Sequence, residues 1–562
     1  IKSGAGTLTL TGAFTHTGGI AIQAGGLTGT SNVFSGDIAN NGTLTFDQGF
    51  DGAYAGNVSG TGDFVKAGAG NLTLTGTLGH TGATTVQAGG LTGTSNVFSG
   101  DIVNNGALIF DQAFDGTFAH DVSGTGGLGK TGTGTVTLTG TLTYTGSTII
   151  QAGGLTGTSS IFPGDITNNG TLTFDQGFDD TFADDVSGTG GFVKAGTGTV
   201  TLTGTFGHTG GTTIQAGGLT GTSNALSGDV VNNGTLTFDQ AFDGTFAGDV
   251  SGVGQFIKSG AGTLTLTGAH THTGGTTIQA GGLTGTSNVF SGDIANNGAL
   301  TFDQAFDGTY AGNVSGTGGF VKVGTGNLTL TGTHSGAGGT TVQAGGLTVN
   351  GTMSGGPLTV QSGARLQGTG TLPGTNLMGG AAHAPGNSIG TQTIIGDYDL
   401  GAGASLEIET HPSGASDKLV VQGGVTLGGN LQVQPQAGPY EDVDYSYVII
   451  DNDAADAVTG TFGTLTNPLA FYDASVGYAA GDGNDVELKL TRNAAGFPDV
   501  AETFNEKSVS KTVRSLTGAD GTAVKGRVLG ATAAQARALY NSLSGEIFAA
   551  MPSMLGDVTR QL

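Results

Sequence analysis

The chain has 562 residues, among them 113 glycines and no cysteine or tryptophan, and its formal net charge is −25. The absence of cysteine excludes disulfides, thiolate metal sites and cysteine nucleophiles, and the negative charge argues against nucleic acid or an anionic membrane surface as the main partner. Abundant glycine with few helix formers favours short strands that are broken by frequent turns.

The first element along the chain is a motif that recurs at a constant spacing. It reads IKSGAGTLTLTG at residue 1 and VKAGAGNLTLTG at residue 65, and it begins again at 129, 193, 257 and 321. These starts define a 64-residue period without insertions, with five complete copies and the start of a sixth. A fixed period of this kind is typical of a repeat array. The lysines of the motif are Lys2, Lys66, Lys130, Lys194, Lys258 and Lys322.

Each copy divides further into pieces that read as strand, turn and strand. In the first copy they are IQAGGLTG (22–29), IANNGTLTF (38–46) and VSGTGDFVKAG (58–68). Three pieces in each period predict three coils of about 21 residues, a size typical of a parallel β-helix in which each strand pairs with its equivalent one coil above. A β-sandwich array would not need three coil-like pieces. The alternation in TLTLT places leucines inward and threonines outward.

Two aromatic positions and one turn recur in every complete copy. We expect equivalent aromatic residues to stack into ladders along the core, and we expect the NNG segment to form a turn with left-handed backbone angles. The first aromatic set is Phe46, Phe110, Phe174, Phe238 and Phe302, and the second is Phe50, Phe114, Phe178, Phe242 and Phe306.

The strict period fades from Leu347, although strand patterns continue in PLTVQSG, SLEIETH and DKLVVQGGVTLGGNLQVQP. Longer apolar strands follow in YSYVIID and DVELKLTRN, and we expect antiparallel hairpins there, because these would close the end of a solenoid against edge-to-edge association. The predicted domains are a repeat stalk at 1–345, a β-helix end with a cap at 346–496, and an α-helical linker at 497–562.

Helical spacing appears only near the end of the chain. Phe504, Val509, Val513 and Leu516 share one predicted helix face, and Thr532 with Gln535 forms a capping box that opens a second helix. The apolar face of that helix is Ala536, Leu539, Leu543 and Ile547. The segment 552–562 reads as another helix or as the entry to a further domain.

One sequence matches a hydrolase motif. Gly386-Asn387-Ser388-Ile389-Gly390 has the G-x-S-x-G spacing of a nucleophile elbow, which requires a strand before the serine and a helix after it. A turn precedes Ser388 and a strand pattern, TQTIIGDYDLG, follows it. We therefore interpret Ser388 as a turn residue of the solenoid.

Each set of repeated polar residues has a structural interpretation as well as a functional one. Asp37, Asp47 and Asp51 recur in every complete copy and could bind Ca²⁺, but the nonapeptide of calcium β-rolls is absent, and solvated turn carboxylates are the simpler interpretation. The histidines do not have the spacing of metal ligands, so we interpret the repeat position that four of them share as a surface turn. These four are His16, His80, His208 and His272, and Tyr144 fills the position in the third copy. His270 forms a lone H-x-H with His272. Ice binding by outward threonines would need TLTLTG in every coil.

With these pieces placed, the chain resembles the passenger of a bacterial autotransporter, a type V secreted protein. The repeat GAGTLTLTG...TTIQAGGL looks like the autotransporter-associated β-strand repeat. APGNSIGTQTIIGDYDLGAGASLEIE, SDKLVVQGGVTLGGNLQV, YVIID, GTFGTL and DVELKLTRN resemble the pertactin-like end of a passenger with its autochaperone. FNEKSVSKTVRSL and AAQARALYNSLSGEIFAAM are similar to the helical stretch that leads to the translocator barrel.

The resemblance implies an all-β fold, a right-handed parallel β-helix with a β cap and a short α-helical linker. It also implies secretion through the outer membrane, with the C-terminal end folding first, and an outer-membrane β-barrel beyond Leu562 as partner. Because the sequence starts in the middle of the pattern, we expect residues to precede Ile1. No protease motif GDSGS occurs in the chain.

The sequence therefore predicts a non-enzymatic, surface-displayed stalk that mediates adhesion or self-association, with a C-terminal region that seeds folding. We predict no catalytic, cofactor-binding or metal-binding residues and no cofactor. The expected location is the bacterial cell surface, and host surfaces or other copies of the chain are the expected partners. The alternative is an inert spacer that presents an enzymatic or binding domain located upstream of residue 1.

Overall fold

The computed structural model describes residues 1–13, 18–453 and 455–545. The chain forms a parallel β-solenoid, in which each short strand pairs with the strand one coil further along. Two compact units are present, one made of Ile1–Leu283 with Val289–Gly292 and the other of Thr284–Asn288 with Asp293–Leu562. The predicted parallel β-helix class is confirmed.

The strands of the first three copies are short and follow one another closely. Strands β1 to β10 are Thr7–Thr9, Ile20–Ile22, Gly26–Gly29, Ile38–Asn40, Thr43–Asp47, Gly52–Tyr54, Val58–Gly60, Asp63–Ala67, Asn71–Leu74 and Leu78–His80. Strands β11 to β18 are Thr84–Val86, Gly90–Gly93, Ile102–Asn104, Ala107–Asp111, Gly116–Phe118, Val122–Ser123, Gly127–Thr131 and Thr135–Leu138. Strands β19 to β25 are Thr148–Ile150, Gly154–Gly157, Ile166–Asn168, Thr171–Asp175, Asp180–Phe182, Val186–Ser187 and Gly191–Ala195.

The same order continues through the remaining copies. Strands β26 to β36 are Thr199–Leu202, Thr212–Ile214, Gly218–Gly221, Val230–Asn232, Thr235–Asp239, Gly244–Phe246, Val250–Ser251, Gln255–Ser259, Thr263–Leu266, Thr276–Ile278 and Gly282–Gly285. Strands β37 to β45 are Ile294–Asn296, Ala299–Asp303, Gly308–Tyr310, Val314–Ser315, Gly319–Val323, Asn327–Leu330, Thr333–His334, Thr340–Val342 and Gly346–Val349.

Strands become longer toward the C-terminal end. Strands β46 to β54 are Thr352–Met353, Leu358–Val360, Arg365–Gly368, Thr371–Leu372, Thr375–Leu377, Ala382–Pro385, Thr391–Ile394, Tyr398–Leu400 and Ser405–Thr410. Strands β55 to β62 are Lys418–Val421, Val425–Leu427, Asn430–Pro435, Tyr445–Asn452, Val458–Gly460, Thr464–Thr466, Tyr472–Ala480 and Asp485–Arg492. The α-helices are α1 (Phe504–Ser515), α2 (Gly518–Leu529) and α3 (Ala533–Leu543), and 3₁₀ turns lie at Ser159–Ile161 and Phe497–Val500.

The coils of the first unit are shorter than the sequence predicts. One column of stacked residues runs through nine successive coils, and each pair of neighbours in it is closer in sequence than one predicted coil. A small residue at each corner lets the chain turn within a few positions, which keeps the coil this short. The column is Leu72, Leu91, Leu108, Leu128, Thr148, Ile166, Val186, Phe206 and Leu226.

Shorter coils change the relation between consecutive copies. Val136 is the equivalent of Leu72 in the next copy, but it lies in another sheet, opposite Gly116 and Leu155. The second copy contains nine strands, β8 to β16, and one further strand-like segment at Phe98, ten segments in all. Since a coil uses three segments, one copy makes three and a third coils, and the prediction of three coils per copy is wrong.

Each copy is therefore displaced from the one before it by a screw operation. With strands about 4.8 Å apart, a copy advances about 16 Å along the solenoid axis and turns by a third of a revolution. The same sequence position thus occupies the three faces in turn, and any feature that recurs once per copy is displayed on all sides of the first unit.

This screw explains why the predicted aromatic ladders do not form. Phe46 is buried, but its ring contacts Phe34, Tyr54 and Phe64 of the same copy, with centroids 5.0 to 5.6 Å apart. Equivalent rings of neighbouring copies lie on different faces and cannot stack. The second set points outward instead of into the core; Phe50, Phe114, Phe178, Phe242 and Phe306 are between 41% and 49% exposed.

The second unit ends in antiparallel strands, as the sequence predicts. Coils lengthen along the column Leu377, Leu400, Leu427 and Gly460, where each step in sequence is longer than the one before. Strand β58 pairs with β55 in parallel and with β62 in antiparallel direction, and β62 pairs with β61 antiparallel. The hairpin thus covers the last solenoid strand of this sheet.

The C-terminal helices confirm the predicted capping box and correct both predicted helix faces. Thr532 Oγ1 accepts from Gln535 N–H, and Gln535 Oε1 accepts from Thr532 N–H. Phe504 is 84% exposed and Leu543 is 51% exposed, so neither belongs to the buried face that the sequence predicted for its helix. Helix α2 was not predicted, and Ile547 and the segment 552–562 lie outside the described residues. In the described part of the chain, no helix has the length and apolarity that crossing a bilayer requires.

Candidate functional surface

Five of the six lysines that mark the period are buried and stabilise the turns. Lys194 is fully buried, and its Nζ donates to the carbonyl oxygens of Ala195, Gly196 and Ala216. The ammonium thus connects the turn of its own coil to the turn of the next one. Burial lowers the pKa of Lys194, while Asp175 and Asp179 oppose this shift. The equivalents Lys66, Lys130, Lys258 and Lys322 are also fully buried and make the same three bonds.

The sequence contained a signal for this role. In the segment Phe192-Val193-Lys194, strict alternation puts the lysine on the same side as the buried phenylalanine. A lysine on the inward side of a strand needs acceptors for its three protons, and turn carbonyls are the nearest ones. These side chains are therefore part of the framework and are not available to a ligand.

The histidines lie in the core, so their interpretation as a surface turn position is wrong. His80, His208 and His272 are at most 5% exposed, and the Nε2 of each lies 3.2 Å from the hydroxyl of a threonine four residues later. Burial lowers the pKa of His270 to about 3. No group of three or more potential metal ligands occurs among the described residues, and His16 lies outside them.

Asparagine and aspartate side chains hold successive turns together. Asp37 Oδ1 accepts from the backbone N–H of Asn57 at 2.8 Å, and Asn57 Oδ1 accepts from that of Thr77 at 2.9 Å. Asp37 is thus bound by an amide of the next coil and is more than a solvated turn residue. Such bonds hold the turns of neighbouring coils together.

The NNG turn works differently from the prediction. Asn40 is buried; its Nδ2 donates to Asp63 O and its Oδ1 accepts from Gly42 N–H. All positive φ angles in the described residues belong to glycine, and Gly42 is not one of these. The turn is therefore stabilised by a buried side-chain amide, and left-handed backbone angles are not involved.

Ser388 lies in a bend between β51 and β52, and the segment after it is a strand. The strand-to-helix geometry of a nucleophile elbow is thus not formed. His383, the nearest histidine in sequence, is fully buried, with its ring nitrogens bonded to Tyr398 and Gln392.

A polar depression of about 220 Å³ lies beside Ser388. Arg365 forms a bidentate ion pair with Glu407 there, with N–O distances of 2.8 and 2.7 Å. Asp417 accepts from the backbone N–H groups of Gly390 and Glu409, and burial raises the pKa of Asp417 to about 7. These charged groups are bound to each other and to the backbone, which suits a structural junction.

What remains for a partner is the outer surface of the array. At four of the five junctions between consecutive copies, three neighbouring strands present a threonine, a β-branched aliphatic residue and a threonine side by side, and we call this row the outer ridge. Its members are Thr45–Val65–Thr85, Thr173–Val193–Thr213, Thr237–Ile257–Thr277 and Thr301–Val321–Thr341. The ridges and the exposed phenylalanines recur with the screw of the copies.

Comparison with known proteins identifies the repeat. The family model of the passenger-associated-transport-repeat matches six segments, at residues 1–28, 64–92, 128–156, 192–220, 256–284 and 320–349. Each match covers the lysine motif and the short strands that follow it, and the matches recur with the 64-residue period.

Three curated relatives align with parts of the chain. An extracellular serine protease of Serratia marcescens is 27% identical over 51% of this chain and 22% of its own length. The adhesin BmaC autotransporter of Brucella suis is 31% identical over 49% of this chain and 7% of its own length. A second extracellular serine protease of Serratia marcescens is 25% identical over 37% of this chain. The chain thus spans less than a quarter of the length of these relatives.

Proposed function

We propose that this chain, an autotransporter passenger region built on passenger-associated transport repeats, is a non-enzymatic stalk that mediates adhesion or self-association. It acts outside the cell, displayed on the bacterial surface. Its second role is mechanical, since the C-terminal part of the solenoid seeds folding during secretion. The partners are a host surface or other copies of the chain.

The observation that carries this proposal is the division between core and surface. The described lysines and most histidines of copies two to five, which could carry chemistry, are buried, whereas most threonines and aspartates and single phenylalanines face outward. An outer surface that repeats on every face offers many equivalent weak contacts. Multivalency converts such contacts into strong binding without any single deep site.

A second function is favoured by the two extracellular serine proteases among the relatives. In this alternative the chain is a spacer, and an enzymatic or binding domain elsewhere in the protein carries the activity. The similarity to an adhesin favours the first function. The two functions differ in whether the repeats themselves make contacts with a partner.

A deletion within the repeats separates these functions. Removing residues 65–256 takes out three copies, a whole number of coils, and joins Phe64 to Ile257 in the same register. We expect cells that display this variant to lose most of their aggregation or surface adhesion, because avidity falls steeply with the number of sites. The measurement is adhesion per displayed molecule.

A length control completes the experiment. The removed copies are replaced by an unrelated uncharged solenoid segment of ten coils, which restores the distance from the cell but not the outer surface. Unchanged adhesion in either variant contradicts a binding role of the repeats and supports the spacer. If the length control restores adhesion that the deletion had abolished, this result also contradicts a binding role of the repeats.

A further inference from the structure

The outer ridge is absent from one junction between copies, and its replacement is coordinated. Where the second copy meets the third, the three positions are Ile109, Gly129 and Ile149, which lie side by side in β14, β17 and β19. In the outer ridges a larger side chain lies between two threonines. Here two isoleucines lie on either side of a glycine, which has no side chain. Three linked changes in a chain of near-identical copies form a local surface of their own.

The result is a shallow apolar depression on the outside of the solenoid, which we call the notch. Its volume is about 180 Å³, and its floor is the backbone at Gly129. Ile109 and Ile149 flank it, and Ile149 is 39% exposed. The three atoms nearest to a Cβ atom placed on Gly129 would all belong to Ile109, at 3.3 to 3.8 Å, so this isoleucine packs closely beside the glycine.

The notch is complementary in shape to the outer ridge. A ridge carries one β-branched side chain between two threonines, and the notch offers one gap between two isoleucines. Both have the spacing of neighbouring strands, about 4.8 Å, so three side chains can interdigitate at once. Both patterns are palindromic, which makes the fit independent of whether two chains run in the same or in opposite directions.

Charge favours the same pairing. A chain with a net charge of −25 repels its own copies over most of its surface. The residues that line the notch are all uncharged. The central strands of the ridges at Val193 and Ile257 carry uncharged outward neighbours, such as Gly191 and Gln255. The nearest charges are Asp175 and Asp239 on the adjacent strands, opposite Ala195 and Ser259. At Val65, by contrast, Asp63 lies on the central strand itself.

We propose that the notch is a self-recognition site, which binds the outer ridge at Val193 or Ile257 of a second copy of this chain. This inference deepens the self-association part of the proposed function and rests on it. The part of the chain that the structure describes has one notch and several ridges, so the contact is heterologous and can propagate from molecule to molecule. A contact of this size is weak in isolation and gains strength between chains crowded on one surface.

The chain supplies its own matched variant. Ile109→Thr, Gly129→Val and Ile149→Thr together rebuild the ridge that the four other junctions carry in the same strand environment, so folding is expected to be unchanged. Sedimentation velocity of the full chain at about 0.15 M salt measures association up to about 100 μM, the range of weak contacts. We expect the wild type to associate and the triple variant to associate at least tenfold more weakly. A monomeric wild type, or a variant that associates equally, overturns the proposal.

Cross-linking tests the identity of the occupant. The chain has no cysteine, so Gly129→Cys on one sample and Val193→Cys on another can form only designed disulfides. We expect a mixed disulfide dimer at least tenfold faster than with Val253→Cys, whose side chain is 68% exposed and lies in the turn before β33, outside the three residues of a ridge. The same comparison is made with Ile257→Cys. If neither ridge cysteine cross-links faster than this control, the notch does not bind a ridge.

The failure of this inference is distinguishable from failure of the proposed function. Cells that display the triple variant are assayed for aggregation with each other and for adhesion to a foreign surface. The inference expects only self-aggregation to fall. If self-aggregation stays unchanged while the deletion of 65–256 abolishes it, the notch proposal is wrong and the adhesive function stands.

Discussion

The repeat copies and the C-terminal part of the solenoid consist of similar parallel coils, but their stabilising contacts differ. In the copies, buried lysines and turn asparagines bind backbone groups of adjacent coils, so every coil depends on its immediate neighbours. In the described residues, the ion pairs between acidic side chains and Lys or Arg all lie at or after Arg365. There, Tyr440, Tyr445 and Tyr472 also pack ring to ring, with centroids 5.5 to 5.8 Å apart.

This difference in stabilising contacts bears on where folding of the array can begin. A coil inside a repeat array buries its core only when a neighbour is already in place. The C-terminal part has long antiparallel strands, β58, β61 and β62, and a tyrosine cluster, and the proposed role as a folding seed rests on these elements. This contrast leads to four tests, which begin with the largest expected effect.

The first test removes the proposed folding seed. Deleting Tyr445–Arg492 takes away the antiparallel strands, and we expect refolding of the repeats to slow at least tenfold, because non-local coil pairing then has no template. Refolding after dilution from denaturant and limited proteolysis measure the effect. The control is deletion of 65–256, which shortens the array and keeps the seed. Refolding of the truncated chain at the full-length rate would show that the seed assignment is wrong.

The second test compares one lysine from each region. Lys194→Met leaves three buried turn carbonyls without a donor, and we expect a loss of about 3–5 kcal/mol in the free energy of unfolding. Lys418, which pairs with Asp451 at a partly exposed site, serves as the matched control. Lys418→Met should cost less than about 1 kcal/mol. Denaturant unfolding followed by circular dichroism measures both, and equal losses would refute the contrast.

The third test uses pH. His270 is buried and neutral, and its folded-state pKa of about 3 lies below its ordinary value of 6.5. The stability that the neutral ring contributes is therefore complete above pH 6.5 and is lost as the pH falls toward 3. At pH 4 the loss is about 3 kcal/mol from this residue. Phe206 fills the equivalent position one copy earlier, so His270→Phe should unfold at acidic pH with a clearly higher denaturant midpoint than the wild type.

The third test also includes Asp417 of the C-terminal part, for which the expected dependence of stability on pH has the opposite sign. Burial raises the folded-state pKa of this carboxyl to about 7. The folded state is therefore more stable relative to the unfolded state at acidic pH, where the carboxyl is protonated, and this stabilisation is lost as the pH rises toward 7. Asp417→Asn keeps the acceptor at one position and should flatten the pH dependence between about 4 and 7 in the second unit. An unchanged profile in both the His270 and Asp417 variants would contradict the assignment of these groups.

The smallest effect is expected at the helices. Thr532→Ala removes the side chain that accepts from Gln535 N–H, and loss of such a cap costs about 1 kcal/mol. Thr532→Ser keeps the acceptor and is the control. Hydrogen exchange of the amides at the start of α3 measures the local change. Equal protection in both variants would mean that the cap does not stabilise the helix.

Strand alternation and turn chemistry were predictable because they are local. The inward leucines, the capping box at Thr532 and the antiparallel pairing of the C-terminal strands all follow from patterns within a few residues. The polar interior was missed, since an inward lysine or histidine is recognised only when its acceptors on the next coil are known. The outward direction of Phe50 was missed because the turn before β6 shifts the alternation.

The sequence by itself determined the 64-residue period, the parallel solenoid and the near-identity of its copies, because apolar periodicity and turn residues decide these. Only the tertiary structure decided the length of a coil, since this depends on which segment stacks on which. That length is not a simple fraction of the period, and so consecutive copies are rotated by a third of a turn. For this reason the equivalent phenylalanines do not form ladders, and three residues from three coils, Ile109, Gly129 and Ile149, form one surface.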